Sequence, residues 1–362
     1  MIQCDERTTG KTYHISPDQE CREKDMREGK IAIEARDLRK EFSVDESGKG
    51  FMGRIKALFH RRRRKIVAVD GISFQIKPGE FVGYVGENGA GKSTTIKMLT
   101  GILVPSSGSA TVSGIVPYEN RKKNAAKIGV VFGQRTQLWW DLPVRESFEM
   151  LRVIFRVSRP DFLYQMGRLE KALDLKPLMK MPVRKLSLGQ RMRCDIAASL
   201  IHSPPVLFLD EPTIGLDVLV KDAIRKFLLE INREEGTTII LTTHDMNDIE
   251  QMCKRLIILD EGSIIFDGET ESLKRQFVHE KIIEVEFYED VVAVEEIPGV
   301  TVINEEGCTK WLKFDKGNTG IGEVVSFLAT NYKIKDLSVR EPSVESIIKN
   351  IYHNSDALAI PL

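Results

Sequence analysis

The apolar run Phe81-Val82-Gly83-Tyr84-Val85 leads directly into Gly86-Glu87-Asn88-Gly89-Ala90-Gly91-Lys92-Ser93, followed by Thr94 and a helical stretch. The octapeptide fits the pattern GxxxxGK[ST], and its place between a strand and a helix is the one its mechanism demands. Glycines let backbone N–H groups turn inward as a nest for phosphates, and the helix N-terminus adds a favourable dipole. Residues Gly86 to Thr94 are therefore the expected cradle of a nucleotide triphosphate. Lys92 would reach the β- and γ-phosphates, and the Ser93 hydroxyl would ligate magnesium. An incidental glycine-rich turn explains this combination poorly.

The rest of the chain extends that setting. From Ile31 to about Gly268, short β-branched runs alternate with helical stretches, the pattern of an α/β domain with a largely parallel sheet. Four runs end in a polar group. Phe81 to Val85 meets the glycine-rich loop, Ile128 to Phe132 meets Gly133-Gln134, Val206 to Leu209 meets Asp210-Glu211, and Thr238 to Thr243 meets His244. Ligands of open α/β sheets sit at the carboxyl ends of the strands, where one site could collect all four. Asp210 after an apolar strand is placed to hold a magnesium shell, and Glu211 beside it is the candidate general base.

The intervening Leu186-Ser187-Leu188-Gly189-Gln190-Arg191 resembles the LSGGQ signature of the ABC ATPase family. That resemblance implies further positions, and they are filled. Gln134 matches the Q-loop, with an implied role at the magnesium ion and in catalysis. Gly215-Leu216-Asp217 matches the D-loop, and His244 matches the switch histidine at the γ-phosphate. Ser187, Gly189 and Gln190 would meet ATP held by the glycine-rich loop of an opposite subunit. Leu188 departs from the family, which has a glycine there, and so removes some backbone freedom. Phe42 is the candidate platform for adenine, with ordinary core packing the competing reading. Trp139-Trp140 stand in a loop that faces the membrane subunit in the family, which makes them a candidate anchor for that partner.

The expected fold is thus an α/β P-loop NTPase over residues 31–275, with a helical subdomain at 136–195 carrying the signature. A small C-terminal α+β domain is expected over 281–352. There Ile283, Val285 and Phe287, then Val300 to Ile303, Trp311 to Phe314, and Leu337 with Val339 read as strands. A short helix around Val291 to Glu296, a second around Val324 to Leu328, and a last one from Val344 to Ile351 complete the set. Their order, β-α-β-β-α-β, is ferredoxin-like. Residues 1–30 read as a disordered tail, and patterned sequence begins just after Met26, a candidate start. The stretch Val44 to Lys65 is a basic insertion ahead of a strand at Val67 to Ile76. Phe51, Ile55, Leu58 and Phe59 share a helical face there beside Arg61 to Arg64, which reads either as a solvated loop or as a membrane-docking helix.

The resemblance implies an ATP-binding and hydrolysing subunit, with ATP and Mg2+, that pairs with itself or a similar ATPase and powers separate integral-membrane permease subunits from the cytoplasmic face. The stretches VVFGQRTQLWWDLPV and LFLDEPTIGLDV look most like ABC-2 type exporters. An importer ATPase with a C-terminal regulatory domain is the alternative. Non-transport relatives acting on ribosomes or DNA fit less well, since there is one cassette and no long coiled coil between Lys92 and Ser187. No nucleic-acid partner is expected, because lysine plus arginine equal aspartate plus glutamate at 53 each. The five cysteines form no CxxC pair, which speaks against a zinc site or a disulfide framework and fits a reducing compartment. No apolar run approaches the ~20 residues that span a bilayer.

Overall fold

The computed structural model describes residues 31–45, 63–133, 135–277, 280–289, 299–315, 320–340 and 344–353. In chain order they form β1 (Ile33–Asp45), β2 (Arg63–Ile76), β3 (Phe81–Gly86), α1 (Lys92–Leu99), β4 (Ser107–Val112), α2 (Arg121–Ala125) and β5 (Ile128–Phe132). Four longer helices and two strands follow: α3 (Val144–Ile154), α4 (Arg159–Ala172), α5 (Leu188–Leu200), β6 (Val206–Asp210), α6 (Val218–Glu235) and β7 (Thr238–Thr242). The chain continues through α7 (Met246–Met252), β8 (Arg255–Asp260), β9 (Ser263–Glu269), α8 (Thr270–Phe277), β10 (Glu280–Phe287), β11 (Val300–Glu306) and β12 (Thr309–Asp315). It ends with α9 (Ile321–Asn331), β13 (Ile334–Arg340) and α10 (Val344–His353). Two compact units divide these elements. One holds the described residues of Met1–Arg39, Gly71–Glu80 and Thr95–Ile240, and the other those of Lys40–Asp70, Phe81–Thr94 and Leu241–Leu362.

In the first unit β5 and β6 run parallel, in register from Ile128 opposite Val206 to Phe132 opposite Asp210. Their unbroken apolar sequences are explained by burial on both faces, which holds for Val206 to Leu209 without exception. Three helices of this unit, α3, α4 and α5, lie between β5 and β6 in the chain. Pro143 precedes α3, Ser158 caps α4 by accepting from Asp161 N, and Ser187 caps α5. Amphipathic α3 buries Val144, Phe148 and Leu151.

In the second unit β3 pairs in parallel with β8, and β8 returns as β9 through Glu261-Gly262. Both turn residues have positive φ, 44° and 84°, the conformation that matches the twist of a two-residue hairpin. The basic insertion is shorter than expected at its ends. Val44 and Asp45 belong to β1, and β2 begins at Arg63 instead of Val67. Pairing extends the strands through polar sequence that alternation alone does not mark, and Lys65 joins Glu41 at 3.0 Å there. Residues 46–62, including the apolar face from Phe51 to Phe59, lie outside the described residues.

The C-terminal strands form a four-stranded antiparallel sheet in the order β11-β12-β10-β13, the strand order of a βαββαβ unit. Ile283, Val285, Phe287, Leu312, Phe314, Val324 and Leu328 make its core. The helix expected around Val291 to Glu296 lies outside the described residues, as does the tail before Ile31.

Two ionisable groups in the first unit, the buried Asp195 and the half-buried His202, set an expectation for acid stability. His202 stacks on Phe155 at 3.9 Å, and one ring nitrogen lies 3.0 Å from Ile128 O. Burial pushes its pKa down to about 4, so the folded state keeps it neutral while the unfolded chain takes up a proton below its ordinary 6.5. Its contribution to stability is therefore lost as pH falls from 6.5 towards 4. Asp195 is shifted the other way. Burial pushes it up to about 6, against bonds from Thr136 and Gln137, so its penalty is relieved on acidification. Between pH 7 and 5 the two effects oppose each other, each on the order of 1–2 kcal/mol. His202→Gln should gain stability relative to wild type by about 2 kcal/mol over that interval, read from denaturant midpoints. Parallel curves for the two proteins would contradict a histidine kept neutral in the fold.

Candidate functional site

The glycine-rich loop leaves the buried strand β3 and closes a turn in which Ala90 N donates to Glu87 O at 3.1 Å. Glu87, Asn88 and Gly89 are exposed at its rim and Ala90 is buried. Gly91 has φ 102°, and a Cβ there would lie 2.5 Å from Ala68 O, so only glycine lets the chain pass into α1. Lys92 opens that helix and is 7% exposed. Its Nζ donates to Gly86 O at 2.5 Å and Glu87 O at 2.9 Å, which holds a buried ammonium at the mouth of the loop. Ser93 is exposed and Thr94 half-buried in the same turn.

In this second unit β7 ends just before His244, which is exposed. Its neighbours are tightly held. Asp245 N donates to Thr243 Oγ1 at 3.0 Å, Thr243 donates to the buried Asp248, and Asp245 caps α7. Phe42, near the end of β1, is 36% exposed with Lys40 Nζ 5.4 Å from its ring centre, so it is not a core residue. The last helix also reaches this neighbourhood, which sequence reasoning missed. Tyr352 on α10 donates to Leu259 O at 3.4 Å, and Leu259 is the register partner of Gly86. Burial, with the acids Asp260 and Glu87, pushes the Tyr352 hydroxyl up.

The first unit holds the carboxylates and the signature. Asp210 ends β6, and Glu211 follows with φ 54°, a left-handed backbone that non-glycine residues adopt at a cost of order 1 kcal/mol and that concentrates at functional sites. Both are half-buried. Gly133 lies against them: its N donates to Asp210 O at 2.8 Å, and a Cβ there would be 2.3 Å from Glu211 O. Gln134, next in the chain, lies outside the described residues. Ser187 and Gln190 form a capping box, with Gln190 N donating to Ser187 Oγ at 3.2 Å and Ser187 N to Gln190 Oε1 at 3.0 Å. Leu188, the departure from the signature, packs on the D-loop, for a Cβ on Gly215 would lie 2.9 Å from its Cδ2. Gly189 faces Leu216 and Val220 at ordinary contact distance, and Asp217 caps α6 by accepting from Val220 N.

Trp140 is 51% exposed beneath Arg191, and Trp139 is half-buried. Among the described residues no helix is long and apolar enough to cross a membrane, and no cluster of three or more His, Cys, Asp or Glu side chains could hold a metal ion by itself.

A family description, ABC transporter, matches residues 69–214. The linearmycin resistance ATP-binding protein LnrL of Bacillus subtilis is 31% identical over 79% of this chain and 94% of its own length. The methionine import ATP-binding protein MetN of Geobacillus kaustophilus is 32% identical over 66% of this chain and 73% of its own. Among solved structures, the dimeric post-hydrolysis state of the ATP-binding cassette MJ0796 with ADP and Pi superposes with a TM-score of 0.56 at 26% identity, over 66% of this chain and 98% of that one. The fold is therefore that of a P-loop ABC ATPase domain. The chain belongs to the ATP-binding proteins of ABC transporters, and its enzymatic activity is that of an ATPase.

Proposed function

We propose that the chain is the motor of an ABC-2 type exporter, a head-to-tail pair at the cytoplasmic face of the membrane that drives separate permease subunits. Gly86 to Thr94 hold the triphosphate of ATP, with Lys92 at its terminal phosphates and Phe42 under adenine. The Ser93 hydroxyl and the Asp210 carboxylate are hard oxygen donors that fit magnesium, with the Gln134 amide a third. Bound there, the ion supplies charge neutralisation at the β- and γ-phosphate oxygens. Glu211 accepts the proton of the attacking water, and His244 donates to the γ-phosphate. Ser187, Gly189 and Gln190 of a second copy complete the site from the far side, next to Asp217.

The observation that carries the permease partnership is a second apolar stripe on α3. Met150, Val153 and Ile154, at three-and-four spacing, are 38%, 62% and 59% exposed, while the opposite face is buried. Leu163 and Tyr164 on α4 and Trp140 are exposed too. Exposed apolar surface of this kind marks a partner. The export reading is supported by the sequence around Trp140 and by a relative named for drug resistance. The import reading is supported by a relative named for methionine import and by the sheet at 280–340, which could bind a regulator.

Affinity purification from native membranes separates these readings. Export predicts recovery of polytopic subunits without a secreted solute-binding protein, and such a binding protein in the complex would favour import. Val153→Glu with Ile154→Glu should cut permease recovery by about tenfold or more, since losing 1.4 kcal/mol costs a factor of ten, while basal ATPase persists. Unchanged recovery would remove this stripe as the docking face.

A further inference from the structure

His244 sits in a turn that runs straight into α7, and the turn is bonded to that helix. Thr243 Oγ1 accepts from Asp245 N at 3.0 Å and donates to Asp248, which is buried in the first turn of α7. Further along the same seven-residue helix stands Glu250. Its Oε1 accepts from the backbone N–H of Val344, the first residue of α10, at 2.9 Å, and Lys274 Nζ on α8 lies 3.7 Å from the same oxygen. A carboxylate on the leading N–H of a helix satisfies an orphan donor and meets the positive end of its dipole. Beyond that contact α10 packs on α7 and α8, with Val344, Ile347, Ile348 and Ile351 all buried. Near its other end Tyr352 donates to Leu259 O, the register partner of Gly86. The last helix is thus fastened at one end to the helix behind His244 and at the other to the strand beside the phosphate loop.

We propose that Glu250 is a positioning residue for ATP hydrolysis: by holding the first N–H of α10 it ties α7 to the last helix, and so fixes the turn that presents His244. This rests on the role given to His244 above. The brace acts on turnover more than on affinity. The phosphate loop closes its own turn through Ala90 and Lys92, whereas misplacement of a reacting group by about 1 Å can cost 10²-fold in rate.

Variants of the full chain test it, read by kcat, by the binding of a fluorescent ATP analogue and by hydrogen exchange over residues 246–252 and 344–353. Glu250→Ala should lower kcat by about fivefold or more while nucleotide affinity stays within about twofold, and exchange should quicken in both helices. Glu250→Gln, whose side-chain oxygen can still accept from Val344 N, should retain kcat within about twofold. Ile347→Asp with Ile351→Asp undocks α10 from its buried side and should cost about tenfold or more in kcat. Adding Glu250→Ala to that pair should cost little more, since both release one brace. Should the paired isoleucine variant fail to fold, the two Glu250 variants decide, because that side chain is 28% exposed. Wild-type kcat in Glu250→Ala, equal losses in rate and affinity, or a Glu250→Gln as slow as Glu250→Ala would overturn the brace. Those outcomes leave the wider reading intact, whereas wild-type turnover in His244→Ala would overturn the role of His244 itself.

Discussion

Glu211→Gln should bind ATP as tightly as wild type and turn it over 10²–10⁴-fold more slowly, the range that general-base assistance commonly supplies. The amide keeps the shape of the carboxylate and cannot accept a proton. At Glu211, just after β6, φ is 54°, a left-handed backbone that non-glycine residues adopt at a cost of order 1 kcal/mol. Gly133 leaves no room for a side chain against Glu211 O, so the two strand ends are fitted to each other. Steady-state hydrolysis decides the matter. A rate within about threefold of wild type would assign the base elsewhere.

The phosphate loop was legible because its requirements are local. Gly91 must be glycine for a reason visible in the chain's own path, and a strand before it and a helix after it follow from short apolar runs. The Glu261-Gly262 hairpin and the alternation of Ile283, Val285 and Phe287 were legible on the same ground, since turn chemistry and period-two burial are written in consecutive residues. What escaped was set by partners distant in sequence. The start of β2 at Arg63 follows from pairing, which carries polar residues into a strand. Asp195 looks like an ordinary polar position on a helix until Thr136 and Gln137 are seen to meet it from 59 and 58 residues away. Leu188 is legible in the sequence only as a departure from the family's glycine. Its approach to Gly215 places the larger side chain beside residues 215–217, which pattern matching cannot reveal. Tyr352 is legible as part of an amphipathic last helix, but its approach to Leu259 depends on how that helix docks.

Each active site is proposed to be shared, with the phosphate loop of one copy completed by the signature of another. Lys92→Ala removes the ammonium that sits over Gly86 O and Glu87 O and should weaken ATP binding within its own subunit. Ser187→Arg leaves that cradle untouched and should keep near-normal nucleotide affinity. It places a long cation at the exposed cap of α5, where the second copy's γ-phosphate is proposed to dock, and so prevents productive closure. Neither variant alone should hydrolyse ATP well. Mixing them is the most direct measurement, because a mixed pair contains one site with an intact Lys92 and an intact Ser187. Recovery of activity is expected, up to about half that of a wild-type pair if the sites act independently. No recovery on mixing, together with normal hydrolysis by dilute monomeric Ser187→Arg, would contradict it.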